Sequence, residues 1–230
     1  MSVNPKAKWE QEAQVISDVH SHCISLDSRE IYIHSYYREG EEAGVDYRMG
    51  TCFVKNLHLL EVQNRKTILI HQHTFGGDWN DGMAMFNAIQ FAKSPIVFLC
   101  YAHARSMSSI ILQAADKRVL MPDCDFMIHY GSICFEGTAV EAESMMNFNE
   151  KLNVRMLDIY YSRCKDGPYF KENKMTEKQI KSFFDKKMRH HSDWWMSPGE
   201  AVNYGFADGV MGQKGFETME IIRTARKRRI

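Results

Sequence analysis

The sequence predicts an α/β fold built on parallel strands, and three observations carry that expectation. Two short, continuous apolar runs, Thr67–His71 (TILIH) and Pro95–Tyr101 (PIVFLCY), read as strands buried on both faces. Each is followed by a segment of helical character, Gly82–Ala92 (GMAMFNAIQFA) and Ser106–Ala115 (SMSSIILQAA). Strand, helix, strand, helix, strand in this order calls for parallel strands joined by right-handed crossovers.

Along the chain, residues 1–28 are polar, show no apolar period, and are expected to form a variable, mobile or partner-dependent arm. Arg29–Ser35 (REIYIHS) is rich in β-formers and reads as the first strand. A charged turn follows over residues 38–43, and Val54, Leu57 and Leu60 then recur at helical spacing. Gly76-Gly77 marks a turn after the first buried strand, and Asp78, Asn80 and Asp81 offer capping side chains for the helix beyond it. Arg118–Met121 and Phe126–His129 are short strands. Residues 138–163 carry Met145, Phe148, Leu152, Met156 and Ile159 at spacings of three and four, one apolar stripe of a long helix. A lysine-rich connection, Lys165–Lys187, leads to a short helix at Ser197–Phe206, with Ser197 as cap and Pro198 at its first position.

Composition narrows the function classes. The 230 residues suit one domain, with 44% hydrophobic and 25% charged residues, as in ordinary globular proteins. The 29 basic and 29 acidic residues cancel, so no global field recruits nucleic acid or an anionic membrane. The basic end (RTARKRR, 223–229) reads as a solvated tail. Six cysteines lie without a CxxC pair, which argues against a zinc site and against a disulfide framework. Cys100, near the end of an apolar run, suits a reduced thiol. With no apolar leader core and no run of about 20 apolar residues, the expectation is a soluble, cytoplasmic protein.

In open α/β sheets ligands bind at the carboxyl ends of the strands. There the sequence places a glycine turn (Phe75-Gly76-Gly77) and a serine at a helix start (Ser106). A serine in that position is ordinarily an N-cap. It is a nucleophile only if a base reaches its hydroxyl and donors face the oxyanion; the amides of Gly77 and Met107 are candidates for the second task. Taken alone, His129 reads as a structural histidine and Asp193 as a loop carboxylate. The adjacent His190 and His191 point apart on most backbones and suit a surface better than a metal.

Four segments change this balance together. His73–Met83 (HTFGGDWNDGM), Ala102–Ser109 (AHARSMSS), Phe126–Tyr130 (FMIHY) and Asp193–Asp208 (DWWMSPGEAVNYGFAD) resemble successive motifs of the Clp protease proteolytic subunit, in the family's order and at similar intervals. The resemblance runs from about Arg29 to Gly212, leaving the arm 1–28 and a basic tail 213–230 outside a peptidase domain. It implies the ClpP/crotonase-type fold of repeated β-β-α units with a long handle helix. It implies a serine endopeptidase, without cofactor or metal, with Ser106 as nucleophile, His129 as base, Asp193 as orienting acid and the amides of Gly77 and Met107 as the oxyanion hole. It further implies unfolded-protein or peptide substrates, stacked homo-oligomeric rings interlocked by the long helix, and an AAA+ unfoldase partner.

The sequence departs from the family at Phe75, where proline is usual, at Arg105, where a small residue is usual, and at Ser108, where glycine is usual. Arg105 is therefore a candidate to read an acidic substrate or a carboxylate across a subunit contact, and Ser109 is a spare hydroxyl. The connection around Gly167–Thr176 looks longer than the family's. Rival readings are a catalytically silent ring subunit, a virus-type maturation protease of the same chemistry, and a crotonase-type acyl-CoA enzyme.

Overall fold

A computed structural model describes residues 5–34, 37–38, 41–42 and 44–228. The chain opens with α1 (Pro5–His22) and β1 (Ile24–Ser25), which pairs antiparallel with β2 (Glu30–His34). This helix lies within the arm 1–28, where the sequence shows no helical period. Its exposed residues include Trp9, Val15 and Ile16, so it lacks the single buried stripe that would betray it in sequence. The charged turn expected at 38–43 falls partly outside the described residues; around it lie β3 (Tyr37–Arg38) and β4 (Glu41–Glu42), an antiparallel pair.

Next comes α2 (Tyr47–Gln63), capped by Asp46, whose carboxylate accepts from the amides of Arg48 and Met49. It buries Met49, Phe53, Leu57 and Leu60, a three-and-four pattern facing the sheet. The two apolar runs become β5 (Ile68–Thr74) and β6 (Ile96–Arg105), separated by α3 (Trp79–Phe91), and β6 runs into α4 (Met107–Leu112). Two short strands follow, β7 (Lys117–Leu120) and β8 (Asp125–His129).

The long helix is α5 (Ala139–Cys164), opened by a capping box between Thr138 and Glu141. Beyond it the lysine-rich connection contains α6 (Pro168–Glu172) and α7 (Glu177–His191), which the sequence reading passed over. Ile180, Phe184 and Met188 are buried at spacings of four on α7, and Thr176 with Gln179 forms its capping box. The chain closes with β9 (Asp193–Met196), α8 (Pro198–Asn203), β10 (Gly209–Val210) and α9 (Met219–Ile222). Among the described residues no helix is long and apolar enough to cross a membrane.

Among the described residues the main sheet has eight strands, ordered β1-β2-β5-β6-β7-β10, with β8 and β9 continuing from the far end of β6. β2, β5, β6, β7 and β10 run parallel, as the strand–helix alternation requires. The ten residues of β6 serve two neighbours: Val97–Cys100 pair with β7, and His103–Arg105 pair with β8. β5 and β6 are covered on both faces. Ile68, Ile70, Ile96 and Phe98 join the main core under the helices, whereas Leu69, Val97 and Leu99 pack against Val119 and Ile222 behind the sheet.

The C-terminal segment also corrects an expectation. Arg223 pairs with Glu30 and donates to the Ser28 carbonyl, Lys117 Nζ donates to the Thr224 carbonyl at 2.6 Å, and the Arg228 amide donates to Asp116 at 2.7 Å. Glu30, Asp116 and Asp208 pair with Arg223, Lys227 and Arg228, so through residue 228 the segment is docked rather than solvated.

Candidate active site

The site forms where β5, β6 and β8 end. After β5 the backbone passes through Gly76 (φ 111°) and Gly77 (φ 149°). Glycine is required at both positions. A Cβ on Gly76 would lie 2.7 Å from Ser106 Cβ, and one on Gly77 would lie 2.4 Å from the Val45 nitrogen. The Val45 amide donates to the Gly76 carbonyl, and the Asp78 amide donates to the Val45 carbonyl. This parallel bridge uses the groups flanking Gly77 and leaves the Gly77 N–H directed away from Val45. The Met107 N–H, in the first turn of α4, has no acceptor within its helix. Neither amide donates to a backbone carbonyl among the described residues.

Ser106 joins β6 to α4 at φ 51° and ψ −129°. Its amide donates to the Met127 carbonyl, and its own carbonyl accepts from the Ser109 amide and hydroxyl. Its side chain makes no capping hydrogen bond, which sets aside the N-cap reading. The hydroxyl lies instead 2.8 Å from His129 Nε2, and His129 Nδ1 lies 2.9 Å from Asp193 Oδ1. His129 is the last residue of β8 and Asp193 the first of β9, and the antiparallel register sets the two directly opposite. Asp193 is therefore a strand residue, not the loop carboxylate it resembles in isolation.

These side chains open into a cleft of about 840 Å³. Phe75 and Trp79 line it near the glycine turn, Ile110 and Met127 near Ser106, and Leu152 and Met156 along α5. Residues 131–134, an exposed stretch outside helix and strand, also border it. The α5 wall was only partly legible beforehand. Its signal was the stripe itself, in which Met156 and Ile159 are buried while Met145 and Phe148 are not.

The family departures find physical accounts. Ser109 Oγ lies 2.6 Å from the Ser106 carbonyl and 2.8 Å from the buried Tyr160 hydroxyl, so it is a packing hydroxyl beneath the site. Ser108 Oγ donates to the Arg105 carbonyl and accepts from the Arg105 amide, closing the turn around Ser106. Arg105 pairs with Asp125 of its own chain and stacks on Trp195, an arrangement that sequence reasoning missed. His190 and His191 are exposed at the end of α7.

Comparison with known proteins agrees with this architecture. The family model for Clp protease matches residues 41–214. The ATP-dependent Clp protease proteolytic subunit of Deinococcus radiodurans is 31% identical over 172 residues, which cover 74% of this chain and 77% of that protein. The family-model match takes in β5 through β10, the cleft and the long helix together rather than one motif, and on that ground the chain belongs to the Clp protease family, a family of serine peptidases.

Proposed function

We propose that this chain hydrolyses peptide bonds with Ser106 as nucleophile, His129 as general base and Asp193 as the group that orients the base. The observation that carries the reading is the hydrogen-bonded line from Ser106 Oγ through both ring nitrogens of His129 to Asp193, with the serine hydroxyl withdrawn from any capping role. With the ring proton on Nδ1 and donated to Asp193, Nε2 accepts the Ser106 proton as Oγ attacks a substrate carbonyl. Asp193 stabilises the imidazolium that results. The amides of Gly77 and Met107 receive the negative oxygen, and the Nε2 proton passes to the departing amine. Water then repeats the sequence on the acyl-enzyme, with His129 again taking the proton.

Membership of the family implies protein substrates and assembly into oligomeric rings. The exposed apolar side chains on the first half of α5 support that helix as the contact between stacked rings. The named relative is ATP-dependent, and an AAA+ unfoldase that delivers extended chains suits a cleft lined by apolar side chains. Buried thiols outside any disulfide at Cys100, Cys124 and Cys164 suit a reducing compartment such as the cytosol.

The test is intact mass after exposure to a fluorophosphonate, comparing the parent with Ser106→Ala. One adduct on the parent and none on the variant is expected, with peptide hydrolysis falling roughly 10⁴-fold or more in the variant. An assembled parent that takes no adduct would overturn the active-peptidase reading.

A further inference from the structure

We propose that Arg105 is a positioning residue, which holds the strand bearing Asp193 in place against the strands bearing Ser106 and His129; this rests on the triad proposed for the cleft. Arg105 ends β6 and immediately precedes Ser106. In the ladder it faces Met127 on β8, and Met127 faces Trp195 on β9. Cross-strand partners share a face of the sheet, as do residues two apart on one strand. Arg105, Asp125, Met127, His129, Asp193 and Trp195 therefore project on the same side, toward the cleft.

The Arg105 guanidinium engages both further strands. It pairs with Asp125 on β8, and its central carbon lies 4.7 Å from the centroid of the Trp195 ring on β9. Cation–π contact of this kind is favourable, and a planar guanidinium can stack and ion-pair at once where an ammonium cannot. One side chain thus spans the three strands that carry the proposed triad.

β9 has need of such a brace. It is four residues long and, among the described residues, pairs with β8 alone. Asp193 is its first residue and follows Ser192, whose φ is 59°. Trp194 and Met196 anchor its lower face in the core, but on the cleft face Trp195 is half exposed. Besides the Asp193–His129 hydrogen bond, the Arg105 stack is what holds that face, two residues from Asp193. A guanidinium already engaged by Asp125 and Trp195 is poorly placed to read an acidic substrate.

The experiment measures fluorophosphonate inactivation rates, together with hydrolysis of two peptides that differ only by an acidic or a neutral residue near the cleaved bond. The proteins are the assembled parent, Arg105→Gln, Trp195→Leu, their double variant, and Trp195→Phe. Arg105→Gln and Trp195→Leu should each slow inactivation about tenfold and lower kcat on both peptides by a similar factor, because small misplacements of catalytic groups are costly. KM should hardly move, the double variant should be no slower than the slower single one, and Trp195→Phe should recover most of the rate.

Losses that multiply in the double variant would overturn the proposal. So would a KM rise confined to the acidic peptide, which would make Arg105 a substrate-reading residue. If Arg105→Gln fails to fold, Trp195→Leu decides alone, and an undiminished rate there is equally fatal. Labelling that persists in Ser106→Ala would instead show that the triad assignment has failed, a result separate from the role of Arg105.

Discussion

Ser106 adopts a backbone conformation that glycine tolerates and other residues enter only under strain. That conformation turns its hydroxyl away from the helix end and toward His129, so on the proposed triad the strain serves the chemistry rather than stability. Ser106→Gly and Ser106→Ala both remove the hydroxyl and its hydrogen bond, and differ mainly in tolerance of that backbone. The glycine variant should unfold at higher urea concentration, by about 1 kcal/mol relative to the alanine variant. Equal midpoints would mean that the turn stores no strain. At this scale Ser106 and His129 stood out only through the four family motifs taken together, because each alone reads as a cap or a structural histidine. The Arg105–Trp195 stack was not, because it depends on β9 pairing antiparallel with β8, and a four-residue edge strand leaves too little pattern to fix its direction.

At the level of elements, α5 is two helices in energetic terms. Its second half buries Met156, Ile159, Tyr160 and Cys164, whereas Val140, Met146, Phe148 and Val154 remain more than half exposed on its first half and beyond. Apolar surface on that scale is typical of a contact between molecules. Introducing charge with Met145→Glu and Phe148→Glu together should at least halve the sedimenting mass, while the far-ultraviolet circular dichroism of the chain is unchanged. An assembly of parental mass would remove α5 from the contact. The length of this helix was readable from its stripe, but which part of the stripe a single chain covers was not. The opposite fate befell α7. Its stripe of Ile180, Phe184 and Met188 is regular, yet dense lysine on the other faces made the segment look like a linker. For α1 no period existed to be read.

For the molecule as a whole, a partly buried ion pair ties the neighbouring strands β7 and β10 together at one edge of the sheet. Arg118, at the start of β7, is 3% exposed, and it donates from its guanidinium to Asp208 at 2.6 Å, to the Gly205 carbonyl and to Gln113. Burial pushes the Asp208 carboxyl up, but the Arg118 charge and hydrogen bonds outweigh it and hold the group below its ordinary value. A carboxyl depressed in the folded state contributes its stability above the unfolded pKa and loses it as pH falls through the folded one. The parent should therefore weaken below the ordinary carboxylate range, near 3.8 and under. Asp208→Asn should cost about 3 kcal/mol at neutral pH, because Arg118 stays buried without its counter-ion. It should also flatten the acid limb of a denaturation series. A variant as stable as the parent would mean that the other acceptors of Arg118 suffice.

The cysteines carry a practical consequence for anyone classifying this enzyme by its inhibitors. Burial pushes the Cys124 and Cys164 thiols up to about 12, so alkylating reagents will find them inert. Cys134 is exposed, and it borders the same cleft as Ser106. An iodoacetamide or maleimide group placed there would obstruct the entry of an extended chain without touching the reacting atoms. Loss of activity under such a reagent, which by convention suggests a cysteine peptidase, would in this protein report only a blocked doorway.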